Sequence, residues 1–269
     1  MKNCVYLLSP QSPVQMMGFV ITEEKGGIIV IDGGNAEDAP NLLETLRRIT
    51  GLQCPRVDAW LFTHAHYDHM NAFLSTMEEA PDSVEVNQIY CHFPPLSYFE
   101  RNGTEGADGT LRRFLDYSES HPGRVTKVET GDRISVGEAS FEVLFTADTS
   151  IENNVVNNSS TVYKLYLGGK TVLFLGDLGE EAGDKLLASS RDKLASDYVQ
   201  MAHHGQRGVK KDFYEAVGAK TCIWCAAAWL YDDDGTHFDT IYTREWMREL
   251  GVLRHYVTKD GDQTIVLPE

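Results

Sequence analysis

The residues best equipped for chemistry lie in one run, Thr63-His64-Ala65-His66-Tyr67-Asp68-His69, which places three imidazoles and a carboxylate between positions 64 and 69. No thiolate is among them. Such a hard-to-borderline donor set suits Zn²⁺, with Mn or Fe as alternatives. Four donors this close together cannot all reach one ion comfortably, so the spacing predicts two. His64 and His66 would serve one ion, Asp68 and His69 the other. The run follows Ala59-Trp-Leu-Phe62, an apolar stretch read as a buried strand. It therefore stands beyond a strand's carboxyl end, where α/β architectures bind ligands.

Two later segments repeat this grammar. Thr171–Leu175 is apolar and is followed by Gly176-Asp177; Tyr198–Ala202 is followed by His203-His204-Gly205. Asp177 is the natural carboxylate to bridge two ions. One of the paired histidines would complete the second site. Alternation along an extended chain sends adjacent side chains to opposite faces, and His203 is the preferred ligand over His204. There is no G-x-S-x-G nucleophile elbow, so the expected nucleophile is water.

The elements around these residues follow from periodicity. Strands are expected at Val5–Leu8, Gly18–Thr22, Gly27–Ile31, Gln88–Cys91, Arg124–Val128, Arg133–Val136 and Phe141–Phe145. Further strands are expected at Thr161–Leu167, Thr171–Leu175, Tyr198–Ala202, Thr221–Ala227, His255–Thr258 and Gln263–Leu267. Helical spacing marks Asp38–Thr50, closed by Gly51 as a C-cap. It also marks Phe73–Met77, Leu111–Tyr117, Glu180–Ser189, Lys210–Val217 and Thr240–Leu250. The order suggests two similar β/α halves with sheets inside and helices outside, one domain over residues 1–269. The segment 92–123 stands apart, with Pro94-Pro95, Phe93, Tyr98, Phe99 and a glycine-rich stretch, and is expected as a lid or insertion.

Composition sets the outer bounds. The chain has 269 residues, 42% hydrophobic and 24% charged, which excludes collagen, coiled coil and wholesale disorder. A net charge of −16 argues against broad nucleic-acid binding. The longest apolar stretch, Cys222–Tyr231, falls short of the ~20 residues of a spanning helix, and residues 1–18 lack a signal-peptide pattern. Five cysteines (Cys4, Cys54, Cys91, Cys222 and Cys225) are an odd number in a chain too large to need staples. Reduced thiols in a cytoplasm are the expectation. Cys222 and Cys225 should point to opposite faces of one strand as core residues. His92, His121 and His255 are expected to be structural or exposed.

In His64-x-His66-x-Asp68-His69, in Asp177 after its strand and in His203-His204-Gly205, the chain resembles the metallo-β-lactamase superfamily. The resemblance implies an αββα sandwich, two mixed sheets flanked by helices, with two divalent ions at one edge. It implies that Asp32, in Ile31-Asp-Gly-Gly34, supports a ligand from behind. The ComEC-like branch is the most similar, through Asn157-Asn-Ser-Ser160, Leu175-Gly-Asp177, the double-His-Gly and Gly235-Thr-His237; His237 is then expected at the substrate. Two departures stand out. The family's third histidine of the first site is absent after Phe145, where Asp148 is the candidate replacement ligand, and its Gly-Gly after the first motif is Asn71-Ala72 here.

The implied function is a metal-dependent hydrolase of a phosphoester, phosphodiester or other small anionic ester, with Asp68 or a second metal-bound water passing a proton to the leaving group. Iron-dependent redox chemistry on the same fold and a non-catalytic metal-binding module are the alternatives.

Overall fold

β-branched and aromatic runs build fourteen strands, and amphipathic runs build eight helices, across the residues the computed structural model describes, 1–104 and 106–268. In chain order the first half comprises β1 (Cys4–Leu7), β2 (Gly18–Thr22), β3 (Ile28–Asp32), α1 (Ala39–Thr50), β4 (Arg56–Leu61), α2 (Tyr67–Glu79), β5 (Glu85–Cys91), α3 (Leu96–Asn102), α4 (Ala107–Ser120) and β6 (Val125–Lys127). The second comprises β7 (Arg133–Val136), β8 (Ala139–Phe145), β9 (Val162–Leu167), β10 (Lys170–Phe174), α5 (Glu180–Ser190), β11 (Tyr198–Gln200), α6 (Lys211–Val217), β12 (Thr221–Trp224), α7 (Ala228–Tyr231), α8 (Thr240–Glu249), β13 (Arg254–Val257) and β14 (Gln263–Val266).

The strands form two seven-stranded sheets, ordered β14-β1-β2-β3-β4-β5-β6 and β13-β12-β11-β10-β9-β8-β7. Each sheet is antiparallel up to one strand and parallel beyond it. The change comes between β3 and β4 in the first sheet, and between β10 and β11 in the second. The ends of these four strands carry Asp32, the His64–His69 run, Asp177 and the double histidine. Equivalent positions in the two halves thus deliver the chemistry-bearing residues to one edge. The last strand was expected only as a strand; it crosses back to the first sheet and pairs with β1, Cys4 opposite Val266.

Both sheets share an inner core that includes Phe19, Ile29, Ile31, Leu61, Tyr163, Phe174 and Ile223. The outer face of the first sheet is covered by α1 to α4, that of the second by α5, α6 and α8. Strand β3 shows why its sequence is apolar from Ile28 to Ile31: Ile29 and Ile31 face the inner core while Val30 faces the outer one. Cys222 and Cys225 divide the same way, outer and inner. The result is the four-layer αββα sandwich.

Three local expectations change. Helix α2 begins at Tyr67, within the histidine run, because His66 is extended and the chain turns helical directly after it. The polar first turn hides the apolar spacing of Met70, Phe73 and Leu74. The expected strand Thr221–Ala227 ends at Trp224, and the short helix α7 follows. Residues 92–123 hold α3 and α4. Their Tyr98, Phe99, Leu111 and Phe114 are buried in the outer core of the first sheet, and Tyr98 Oη donates to the Ile151 carbonyl at 2.6 Å. Glu105 of that segment lies outside the described residues.

Glu23 clamps the two sheets at the edge turns. Fully buried, its carboxylate accepts from the amides of Lys25 and Gly27 in its own turn and of Glu138 in the β7–β8 turn. Burial pushes the carboxyl up, but the three amides outweigh it and hold it below the usual value. A lowered folded pKa gives stability that is present above the unfolded value of about 4.3 and lost as pH falls through the folded value. Glu23→Ala should strand these donors and cost about 2–3 kcal/mol at pH 7. Urea denaturation at pH 7 and at pH 3.5 checks this; the gap between wild type and variant should narrow at the lower pH.

Candidate metal centre

Asp32 ends β3 in a left-handed conformation, φ 53°, with its side chain fully buried. Its Oδ1 accepts from the Thr63 amide at 2.8 Å, and its Oδ2 accepts from Thr63 Oγ1 at 2.7 Å. The same Oδ2 lies 2.7 Å from His69 Nδ1. An acceptor-only carboxylate there leaves the proton on Nδ1 and turns Nε2 of His69 forward as a lone-pair donor. Asp32 thus braces the His69 ring from behind.

Gly176 is the turn that delivers Asp177. Its φ is 57°, and a Cβ there would come within 2.8 Å of Thr63 Cβ, so only glycine fits. The Asp177 amide donates to Ser160 Oγ at 3.1 Å, which fixes the carboxylate. That carboxylate meets three imidazoles: His69 Nε2 at 3.4 Å, His204 Nε2 at 3.4 Å and His64 Nε2 at 3.8 Å. His204 Nε2 also lies 3.2 Å from Asp68 Oδ2. His66 Nδ1 is 3.0 Å from His64 Nε2 on the more open side.

His204, rather than His203, is turned into the cluster. The alternation argument fails because β11 ends at Gln200. Residues His203, His204 and Gly205 then run through three left-handed conformations, φ 50°, 56° and 88°. His204 Nδ1 is anchored to the Cys225 carbonyl at 2.8 Å. Two non-glycine residues at positive φ cost on the order of 1–3 kcal/mol each; the cluster sits where that strain is held.

Two other candidates are placed elsewhere. Asp148 is 2.5 Å from Lys185 Nζ and accepts from the Ser150 amide at 2.9 Å. The Lys185 ammonium holds its carboxyl down at about 2, and it is not among the grouped donors. His237 is exposed, 3.3 Å from Asp233 Oδ2, and among the described residues it bonds to no member of the cluster. Of the other histidines, His92 bonds the Val128 carbonyl, His121 stacks on Tyr117 and His255 accepts from Trp224 Nε1.

The donors group as His64, His69 and Asp177, and as Asp68, His69 and His204, with ligand atoms within 4.8 Å of one another. His69 Nε2, His204 Nε2 and Asp177 Oδ1 are buried yet make no hydrogen bond. Buried polar atoms are rarely left so. His69 belongs to both donor groups, Asp177 to one and His204 to the other, an arrangement a cation satisfies. The residues fit a divalent metal centre.

The charge balance agrees. Burial pushes His64 and His66 down, so both are neutral donors. Burial also works against a proton on His204, but Asp177 and Asp68 hold it up to about 10. His69 is raised likewise by Asp177 and Asp32. The carboxylates demand positive charge, which protons supply when metal does not. Metal must displace those protons, so its affinity should rise with pH through neutrality towards about 10 and fall in acid. Titration calorimetry with Zn²⁺ at pH 8, in buffers of differing ionisation enthalpy, should register proton release.

Residues 17–217 match the family described as the metallo-beta-lactamase superfamily, whose members are mostly metallo-hydrolases and hold divalent ions, typically two. Among solved structures, the metallo-beta-lactamase fold protein YhfI from Bacillus subtilis is similar at a TM-score of 0.57 and 12% identity, covering 98% of this chain and 100% of that one. CmlA, a diiron β-hydroxylase from Streptomyces venezuelae, is similar at 0.59 and 15%, and the match covers 99% of this chain and 54% of that enzyme. At such identities the likeness concerns the fold. The search of curated proteins gave no match. With three quarters of its length inside the family match and the sandwich intact, the chain belongs to the metallo-beta-lactamase superfamily.

Proposed function

We propose that the protein is a metal-dependent hydrolase of small anionic esters, phosphodiesters foremost. The observation that carries the metal assignment is the convergence of three buried, unpartnered ligand atoms, His69 Nε2, His204 Nε2 and Asp177 Oδ1. His64, His66 and Asp177 would hold one ion, and Asp68, His69, His204 and Asp177 the other. Divalent ions in such a site lower the pKa of water and polarise a phosphoryl or carbonyl oxygen.

The chain's own residues do the rest. Asp32 and Thr63 hold the His69 ring, and Cys225 holds His204. Burial pushes the Asp68 carboxyl up, but His69 and His204 outweigh it and keep it ionised, the state of a ligand rather than of a proton donor. The phosphodiester preference rests on the ComEC-like pattern in Asn157–Ser160, Asp177 and His203-His204-Gly205. The site's demand for positive charge supports a small anion within a chain of charge −16. Five free cysteines, four of them buried, fit a reducing cytoplasm. No described helix is long and apolar enough to cross a membrane.

The test is elemental analysis of the purified protein together with hydrolysis of bis(p-nitrophenyl) phosphate. About two Zn or Mn per chain with turnover supports the reading. A second reading, iron-dependent oxidation, is favoured by the thiolate-free donor set, which iron also accepts; two irons per chain without phosphodiester turnover would establish it instead. Bound metal with neither activity would leave a binding module.

A further inference from the structure

The segment between β8 and β9 carries Asn157, Asn158, Ser159 and Ser160, all buried. Three of the four have evident tasks. Asn158 Oδ1 accepts from the Ala182 amide at 3.1 Å in the first turn of α5, and its Nδ2 donates to the Asn153 carbonyl at 2.9 Å. Ser159 Oγ donates to the Val156 carbonyl at 2.6 Å. Ser160 Oγ receives the Asp177 amide. Asn157 remains. It is 5% exposed, and its Oδ1 has no hydrogen-bond partner.

The other end of that carboxamide is held. Asn157 Nδ2 lies 3.4 Å from His203 Nε2, and His203 Nδ1 lies 3.4 Å from the Arg207 carbonyl. A carbonyl only accepts, so Nδ1 carries the hydrogen and Nε2 is the acceptor. An acceptor at Nε2 calls for the amide nitrogen, which turns the oxygen the other way. His203 is tied to the cluster as well: its amide donates to the Gly176 carbonyl at 3.1 Å, and its ring centroid lies 6.2 Å from that of His204.

The half of the cluster built from His64, His66 and Asp177 is the half short of a donor, since Asp148 is held by Lys185. A buried amide oxygen without a donor is costly, and amide oxygens are ligands for divalent cations. We propose that Asn157 Oδ1 is the further protein donor to the ion held by His64, His66 and Asp177, and that His203 positions it by holding the amide nitrogen. This rests on the two-ion reading above.

The test is Zn²⁺ titration of the metal-free full chain by calorimetry, with metal per chain after dialysis. Wild type should bind two ions. Asn157→Leu should keep one ion at wild-type affinity and weaken the other at least tenfold, with the thermal midpoint of the metal-free protein unchanged or raised. Should that variant not fold, Asn157→Ala carries the same reading. Asn157→Asp should restore the second ion. His203→Ala should weaken the same ion about tenfold, and it should do nothing further in the Asn157→Asp background, where either oxygen can face the ion. Two ions at wild-type affinities in Asn157→Leu, with one lost in His66→Ala, would overturn the proposal and leave the two-ion centre standing. A wild type that binds one ion, indifferent to His66→Ala, would overturn both.

Discussion

Asp177→Asn should lower bound metal from about two ions to one or fewer and reduce hydrolysis by at least about 10³-fold, with the fold intact. The reason is position. Among the described residues, the Asp177 carboxylate is the one carboxylate within 4 Å of ligand atoms from His64, His69 and His204 together, so both halves of the cluster depend on it. His69 and His204 outweigh burial and hold the carboxyl well below its ordinary range. Asparagine keeps the shape but removes the charge, and its amide nitrogen would face imidazoles or a cation with a donor. The backbone contact survives, because the residue's amide still reaches Ser160 Oγ. Elemental analysis, circular dichroism and phosphodiester turnover on one preparation check this. Unchanged metal content would remove the bridging role from Asp177.

Asp32→Ala carries the largest expected effect on stability, about 3–5 kcal/mol, as for a buried ion pair broken on one side. It would strand the Thr63 amide, Thr63 Oγ1 and His69 Nδ1. It would also place alanine at φ 53°. A typical domain has about 5–15 kcal/mol in all, so this loss should show as a large drop in urea midpoint. Asp32→Asn separates support from folding. It should cost less stability, yet weaken metal binding by about 10–100-fold, because an amide nitrogen set against Thr63 or His69 disturbs the ring that Asp32 orients. Wild-type metal affinity in Asp32→Asn would show that His69 is oriented by packing alone.

Much of the fold was legible because its signals are local. Strand Ile28–Asp32, buried along its whole length, is apolar up to its closing aspartate, and Lys170–Phe174 is apolar and buried from Val172 onward. Gly51 at φ 73° closes α1 where a C-cap was expected. The elements that escaped are those whose cues are weak or competing. The Pro94-Pro95 pair concealed α3. The polar donors at the start of α2 obscured a helix whose inner face is ordinary. The pairing of β14 with β1 is a long-range contact that no local pattern encodes.

The sequence by itself determined the superfamily, the four-layer sandwich, the donor types and three of the four strand ends that bear them as candidate ligands. A metal motif held in consecutive residues is fully present in the chain. Only the tertiary structure decided which rings converge. His204 replaces His203 because three left-handed residues turn the chain after β11, and because the Cys225 carbonyl, distant in sequence, holds the ring. Gly205 is part of that turn: a Cβ there would run into the Trp224 ring. Asp148 is diverted by Lys185, and His237 stays outside with Asp233. Asn157 acquires an unpartnered oxygen only once His203 is folded against it. Residue types follow from the chain. Side-chain direction follows from backbone handedness and from partners that only folding brings within reach.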